Sequence, residues 1–314
     1  MTTIAVHQCF RCELRFRSEA ELEDHLVVDH EVDLRHQADP ARSPEPTSGT
    51  LTIAVSPAIP VERVTAVAAA IARQVGMGVE LVEVDEPGLG DAVPERYLRT
   101  AGERARAQGA TVTGTHRLAR SEEGVAATLL EHLRLQKPTM AAMLTRRRHA
   151  TGDVVLGSVS RPVVAGSPAP ILLSHANQDV ADRYGRVVVG VDGSPLAERA
   201  VGIAADLAGR LGARLWIVGV ADPAMLPNEE VEDGYVHRLA DMVQTPGLEV
   251  GYEVVRGPVR RSLAHFGETE PGTILVLGSH GRSGSRIGSL GSVSRDVVRR
   301  AECPVLVVGP LAEV

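Results

Sequence analysis

The sequence predicts an α/β protein in which two tandem parallel α/β units follow a small N-terminal ββα zinc finger. Three observations lead to this architecture. From residue 51 onward, short apolar segments alternate with helical patterns, which is typical of parallel sheets covered by helices. Part of this region occurs twice in the chain, and a cluster of Cys and His residues precedes it.

Composition limits the possible classes of protein. A chain of 314 residues has room for about two domains of ordinary size. No apolar run reaches the roughly 18 residues of a membrane span, and the N-terminus, with Cys9 and Cys12, lacks the apolar stretch of a signal peptide. We therefore expect a cytoplasmic protein with no membrane partner. The net charge of −7 argues against a general nucleic-acid coat.

The α/β region contains an internal repeat. The segment GSVSRPVVAGSPAPIL from Gly157 matches GSVSRDVVRRAECPVL from Gly291, and LTIAVS from Leu51 matches VVVGVD from Val187. A period this long indicates a duplicated domain and not a solenoid. We assign the parts of the chain as follows: the finger to residues 1–36, a Pro- and Ser-rich flexible linker to 37–50, the first copy to 51–175 and the second copy to 186–310.

Each copy is expected to contain five strands. In the second copy we place them at 186–191, 214–220, 248–255, 273–277 and 304–308, with helices near 195–211, 228–243, 258–268 and 292–300. In the first copy we place them near 51–55, 79–84, 110–117, 139–144 and 170–173. Pro195 suits a first helical turn and Gly212 suits a helix end. Several strands of the second copy are almost wholly apolar, which predicts helices on both faces of the sheet.

A glycine-rich loop connects the fourth strand of the second copy to its last helix. Gly278 and Gly281 are followed, after nine residues, by Gly291 and Ser292. Glycines let backbone N–H groups approach a ligand closely, and a helix start offers free N–H groups and a positive dipole end. The loop therefore suits phosphate. The alternative is that the glycines only shape a turn and Ser292 only caps the helix.

Asp192 follows the first strand of the second copy. If the strand order reverses between the first and fourth strands, Asp192 and the glycine loop open on one crevice, where Asp192 can bind a ribose or base. The alternative for Asp192 is an Asx turn. A Walker A loop is excluded because the only lysine, Lys137, precedes Pro138. A dinucleotide fingerprint would need more glycines after the first strand.

The second copy resembles the universal stress protein family. The resemblance rests on Val191-Asp-Gly-Ser, on the Gly-x2-Gly-x9-Gly-Ser loop and on the closing Cys303-Pro-Val-Leu-Val-Val segment. It implies a Rossmann-like five-stranded parallel sheet in the order 3-2-1-4-5 and, with this loop intact, ATP binding. By position, the resemblance implies that Asp192 and the backbone of Val220 face the adenosine. It also implies a set of residues around the ribose and phosphates: Gly278, Gly281, Gly291, Ser292, Val293 and Ser294.

The first copy departs from this pattern. Leu144, Arg147 and Ser56 stand where the second copy has Gly278, Gly281 and Asp192. Because lost glycines restrict the backbone and add side chains, we expect the first copy to bind nucleotide weakly or not at all. Members of the family commonly dimerise through the last strand. The resemblance therefore implies an intramolecular pseudo-dimer between strands 170–173 and 304–308, and a higher homo-oligomer is left open.

The N-terminal block has the spacing of a Cys2His2 zinc finger. Its four expected ligands are Cys9, Cys12, His25 and His30. Two thiolates and two imidazoles suit tetrahedral Zn²⁺ in a structural site, and the alternative is a redox Cys-x2-Cys pair beside unrelated histidines. In fingers that read DNA, base contacts come from helix positions that here carry Ser18, Glu21 and Asp24. Acidic groups repel phosphate, so a protein partner is expected and a nucleic-acid partner is not.

These expectations combine into a regulatory protein of the stress response that binds ATP and Zn²⁺, with the finger used to dock a partner. No residue is assigned a catalytic role, and at most weak ATP hydrolysis is expected. Two alternatives remain open, a slow ATPase or nucleotidyl-transfer protein and a DNA-binding regulator that acts through the finger.

Overall fold

The computed structural model describes residues 7–8, 15–16, 49–57, 61–86, 92–147, 154–155, 157–175, 178–222, 233–281 and 290–312. The strands are β1 His7–Gln8, β2 Arg15–Phe16, β3 Thr50–Val55, β4 Gly78–Val84, β5 Thr111–Leu118, β6 Met140–Arg147, β7 Val154–Val155, β8 Ile171–His175, β9 Arg186–Val191, β10 Arg214–Ala221, β11 Val250–Arg256, β12 Thr273–Gly278 and β13 Val305–Val308. The helices are α1 Val61–Val75, α2 Ala92–Ala107, α3 Val125–Gln136, α4 Ser160–Gly166, α5 Pro195–Leu211, α6 Asp233–Val243, α7 Val259–Thr269 and α8 Ser292–Arg300.

The strands of both copies lie in one sheet. Its order is β11-β10-β9-β12-β13-β8-β6-β3-β4-β5, with β7 paired to β6. Read within each copy, this is the order 3-2-1-4-5 twice, and all of these neighbours are parallel except β13 and β8. The two tandem five-stranded halves of the prediction are therefore joined edge to edge into one sheet.

The two halves join where β13 and β8 pair antiparallel. Their register places Val305 opposite Leu173 and Val307 opposite Ile171. This is the intramolecular strand contact that the tandem arrangement predicted. Pairing the two last strands removes two exposed sheet edges, which otherwise invite pairing with other chains.

The apolar strands are covered on both faces, as their composition predicted. One face packs against α1, α2, α5 and α6, and the other packs against α3, α4, α7 and α8. Leu51, Val187 and Ile274 are fully buried on the first face, and Ile171, Leu275 and Val307 on the second. Successive side chains along a strand point to opposite faces of the sheet. Because both faces are covered by helices, the side chains on both faces must be apolar.

Local signals fix the helix that precedes the candidate site. Ser194 is the N-cap of α5 and accepts a hydrogen bond from Ala197 N–H at 3.3 Å, with Pro195 in the first turn. Gly212 ends the helix in the left-handed conformation (φ 57°), where glycine is favoured. The helix occupies the predicted range, and its start is anchored directly behind Asp192.

The first copy also differs from the second where its glycine loop should begin. Strand β12 ends at Gly278, but β6 continues through Arg147, and Arg146 and Arg147 pair antiparallel with β7. Arginine has no preference for the turn that glycine permits, so the chain stays extended and returns as a short hairpin. This additional strand was not predicted from the sequence.

The N-terminal residues in the structure are those of β1 and β2, which pair antiparallel with His7 opposite Phe16. Strand β1 lies beside β11, at one end of the large sheet. The four predicted zinc ligands lie outside the described residues. Among the helices that the structure describes, none is both long and apolar enough to cross a membrane.

Candidate functional site

The crevice lies where the strand order of the second copy reverses. Strands β9 and β12 are parallel neighbours, whereas the chain leaves β9 toward β10 on its other side. Their carboxyl ends therefore open at one edge of the sheet, between loops that diverge to opposite faces. Asp192 follows β9, and Gly278 ends β12. Asp192 and the start of the glycine loop therefore lie at this same edge.

Asp192 makes two contacts that explain its position. Its Oδ1 atom accepts a hydrogen bond from Ser194 N–H at 3.0 Å, which forms the Asx turn that the sequence offered as the alternative to ligand binding. Its Oδ2 atom lies against Gly281, so closely that a Cβ added to Gly281 would overlap it. The carboxylate is thus held by the turn before α5 while it reaches across to the glycine loop.

The loop returns to the sheet through three backbone-centred hydrogen bonds. Gly291 N–H donates to the Ser279 carbonyl at 2.7 Å, and Ser279 N–H donates to the Val308 carbonyl at 2.8 Å. The Ser294 hydroxyl donates to the Gly278 carbonyl at 2.7 Å. A Cβ on Gly291 would lie 3.1 Å from the Ser279 carbonyl oxygen, a tight contact, so this close return favours glycine.

Helix α8 presents its N-terminus to the same loop. Gly291 is its N-cap and provides no side chain to bond the first-turn N–H groups, and Arg295 N–H makes the first helical bond, to the Gly291 carbonyl at 3.0 Å. Ser292 is exposed, Val293 is half-buried and Ser294 is buried. The N–H groups of an uncapped first turn can bind an anion, and the Ser292 hydroxyl can join them.

The arrangement separates two kinds of recognition. The dipole of α8 favours negative charge at its N-terminus, whereas the Asp192 carboxylate repels it. Phosphates are therefore favoured at α8, and hydroxyl or amino groups at Asp192. Val220 lies near the end of β10, one residue beyond the Gly219 that is paired with Val191, and its side chain is buried. Only its backbone can serve a ligand.

Sequence reasoning missed two residues of this region. Ser279 is fully buried and, besides its two backbone bonds, its hydroxyl is 2.9 Å from His280 Nδ1. Asp222 follows β10, and its Oδ2 accepts a hydrogen bond from Val259 N–H at 3.3 Å, at the start of α7. The available signal was a small polar or acidic residue immediately after an apolar strand, which is where parallel sheets place their sites.

The first copy has carboxylates where the second copy has an open crevice. Ser56 replaces Asp192 and donates a hydrogen bond to Glu86 at 3.2 Å. Glu83 is opposite Val55 in the same register that places Gly219 opposite Val191, so a fully buried carboxyl stands at the glycine's position. Burial, followed by the neighbouring Asp85, raises the pKa of Glu83. The missing turn and the added carboxyl both oppose an anionic ligand.

The described residues were also searched for clusters of metal-ligating side chains. None of the described residues forms a group of three or more His, Cys, Asp or Glu side chains suited to a metal ion. The predicted set of Cys9, Cys12, His25 and His30 lies outside that part of the chain. The β1–β2 pairing brings together the residues on either side of Cys9 and Cys12.

Comparison of the sequence with known proteins finds consistent similarity. The family model described as the universal stress protein family matches residues 183–309. The chain is 33% identical over 201 residues to a universal stress protein of Mycolicibacterium smegmatis, which covers 60% of this chain and 67% of that protein. It is also 32% identical over 181 residues to a universal stress protein of Mycobacterium tuberculosis, and the aligned segment covers 54% of this chain and 61% of that protein.

Comparison of the structure gives the same fold. A universal stress protein from Archaeoglobus fulgidus superposes with a TM-score of 0.61 at 20% identity, covering 84% of this chain and 97% of that one. A putative universal stress protein from Pseudomonas aeruginosa superposes with a TM-score of 0.59 at 15% identity, covering 83% and 93%. Because both span most of this chain, the similarity includes the tandem arrangement of the two copies.

Proposed function

Because the chain belongs to the universal stress protein family, we propose that it is a regulatory protein of the stress response that binds an adenine nucleotide, ATP or a close relative. The nucleotide binds in the second copy alone. The observation that carries this proposal is the contact of Asp192 with Gly281 across the crevice, in front of the uncapped N-terminus of α8. The proposed location of the protein is the cytoplasm.

The proposed binding mode follows the charges of the crevice. The ribose or base donates hydrogen bonds to Asp192 and contacts the Val220 backbone. The phosphates contact the N–H groups of the glycine loop and of the first turn of α8, at Gly278, Gly281, Gly291, Ser292 and Val293. Ser294 supports the loop through the Gly278 carbonyl, and its hydroxyl is not offered to the ligand.

Calorimetry and thermal unfolding with ATP test this proposal. A ligand at 100 times its Kd stabilises the folded state by about 2.7 kcal/mol, so wild type should melt at a clearly higher temperature with ATP. Gly291→Ala should lose most of this shift because its Cβ would press on the Ser279 carbonyl. The matched control is Gly157→Ala, the equivalent position of the first copy, where an added Cβ meets nothing within 4 Å. The proposal is contradicted if ATP does not raise the melting temperature of the wild-type protein.

A structural zinc finger is the second part of the proposal. Its support is the Cys9, Cys12, His25 and His30 spacing together with the antiparallel β1–β2 pair, because a ββα finger begins with such a ribbon. The acidic residues around the expected helix favour a protein partner. Metal analysis of the purified chain should give one equivalent of zinc, lost in Cys12→Ser, and a salt titration with duplex DNA should show no specific binding. Specific duplex binding would instead favour the DNA-binding alternative.

We propose binding and regulation in preference to catalysis. His280 is the side chain of the loop best suited to act as a base, and its Nδ1 atom is already engaged by Ser279. Turnover of labelled ATP by wild type, compared with Asp192→Ala, separates the two functions. Turnover that exceeds the buffer rate and disappears in Asp192→Ala would establish the slow ATPase instead.

A further inference from the structure

A second cavity lies at the seam between the two copies, at the opposite end of β12 and α8 from the glycine loop. It has a volume of about 400 Å³ and is formed by the end of β8, the segment 178–184, and the turns that lead into β12 and β13. Cavities that hold small molecules in proteins begin at about this size. Because it lies at the amino ends of β12 and β13, it opens at the sheet edge opposite the nucleotide crevice.

The cavity lies at one of the two ends of the β8–β13 pairing, and the residues at these two ends differ. The β8–β13 register, extended by two residues at either end, sets His175 opposite Cys303 at one end and Gly309 opposite Ala169 at the other. The repeat makes these two ends equivalent. At Gly309 the backbone is packed so closely that an added Cβ would lie 2.6 Å from the Val164 carbonyl oxygen. The cavity is present at the end that carries His175 and Cys303.

Buried polar side chains line this cavity. His175, Tyr184 and Cys303 are all more than nine-tenths buried. Burial raises the pKa of Tyr184 to about 12, so its hydroxyl stays neutral. Val180 and Ala181 add apolar surface to the wall. The cavity thus combines a largely polar wall with one apolar patch, and small-molecule sites also pair apolar surface with convergent polar groups.

The charges at this end of the sheet favour a cation. Asp179 and Glu302 line the cavity, are exposed and form no ion pair with any residue that the structure describes. The third acid, Glu270, is held by Arg186 at 3.4 Å and Arg214 at 2.7 Å. No lysine or arginine is among the described residues that line the cavity.

Helix α7 adds to this field. It ends at a turn that forms part of the cavity, so its C-terminal carbonyl groups, which carry partial negative charge, lie at this edge. Helix α8 also ends there, but Arg299 and Arg300 in its last turn offset the partial negative charge of its C-terminal carbonyl groups. The N-terminus of α8 lies at the opposite edge of the sheet, at the proposed nucleotide crevice.

We propose that the seam cavity is a second ligand site, which takes a small organic cation of the size of an aliphatic diamine. The ammonium group lies between Asp179 and Glu302, and the carbon chain lies against Val180 and Ala181. The apolar wall favours an organic cation over a bare metal ion, and the acidic rim excludes nucleotides. Because the site lies at the other edge of the sheet, it does not depend on the nucleotide loop.

Calorimetry with 1,4-diaminobutane at low salt tests the site, with uncharged 1,4-butanediol as the matched ligand. The diamine should bind one-to-one and the diol should not. Asp179→Asn with Glu302→Gln should weaken diamine binding about tenfold, because two exposed carboxylates near an ammonium group each contribute on the order of a factor of three. Val180→Trp should block binding by filling the cavity, and circular dichroism verifies that it folds.

The loop variant Gly281→Ala separates this site from the proposed nucleotide site. It should keep full diamine affinity even where ATP binding is lost. The proposal is overturned if the diamine gives no binding, if the diol binds equally well, or if the Asp179→Asn, Glu302→Gln protein binds the diamine as tightly as wild type does.

Discussion

Replacing Gly281 with alanine should weaken nucleotide binding through Asp192, although the two residues are 89 positions apart in the sequence. The added Cβ would overlap Asp192 Oδ2, so the carboxylate must move away from the crevice. The backbone at Gly281 is not in the left-handed region that favours glycine. Alanine is therefore accommodated without backbone strain, and the effect on folding should be small.

The magnitude follows from what the displaced carboxylate contributes. A hydrogen bond to a charged group is worth about 1.5–3 kcal/mol, and each 1.4 kcal/mol is tenfold in affinity. Gly281→Ala should therefore raise the Kd for ATP by roughly 10- to 150-fold. The free energy of unfolding without ligand should change by about 1.5 kcal/mol or less, because moving the Asp192 carboxylate costs at most about one hydrogen bond, that from Ser194 N–H.

A double-mutant cycle measured by calorimetry tests this route. If Gly281→Ala acts by displacing Asp192, it should have little further effect in an Asp192→Ala background, where there is no carboxylate to displace. Gly157→Ala is the control for adding a methyl group at a loop glycine. The reasoning is refuted if the two substitutions weaken ATP binding additively, or if Gly281→Ala binds ATP as tightly as wild type.

Three further predictions concern the folded state. Burial raises the pKa of Glu83 above the ordinary glutamate value of 4.5. The protonated Glu83 side chain therefore contributes stability at acid pH, and this contribution is lost as pH rises through the pKa that Glu83 has in the folded state. Glu83→Gln should thus raise the melting temperature by about 2–4 °C near pH 7.5 and by little near pH 4, unlike the control Glu86→Gln. Gln74→Ala removes three hydrogen bonds of 2.8–2.9 Å, two to the backbone of Tyr184 and one to the Leu211 carbonyl, and should cost about 1–3 kcal/mol in urea unfolding. The neighbouring Arg73→Ala loses one exposed bond and should cost less than about 0.5 kcal/mol. In hydrogen-exchange mass spectrometry, ATP should protect the amides between β12 and α8 and leave those between β6 and α4 unchanged. Equal protection of both loops would show that the first copy also binds.

The sequence predicts the second copy well because its signals are local. Apolar runs mark the strands, and Pro195 and Gly212 mark the ends of α5, where the structure places them. The glycine spacing and Asp192 indicate which strand ends matter, and the parallel order brings them to one edge. What the sequence cannot provide is the contact itself, because the approach of Asp192 Oδ2 to Gly281 depends on how two loops pack.

The first copy is harder to predict because its loop has lost its signals. Leu144 and Arg147 indicate that the turn is gone, but they do not indicate that β6 extends and pairs with β7. Nor does Glu83 stand out, since an acidic residue near the end of a strand is usually exposed. Its burial becomes visible only through the register that sets it opposite Val55.

The antiparallel seam explains how one chain can offer the two proposed ligand sites at opposite edges of its sheet. Because β13 and β8 run in opposite directions, the strands of the two copies point opposite ways, and their crevices open at opposite edges. The proposed nucleotide site therefore lies at the edge at which β9 and β12 end. The proposed cation site lies at the other edge, where Asp179 and Glu302 are close to the C-terminal end of α7.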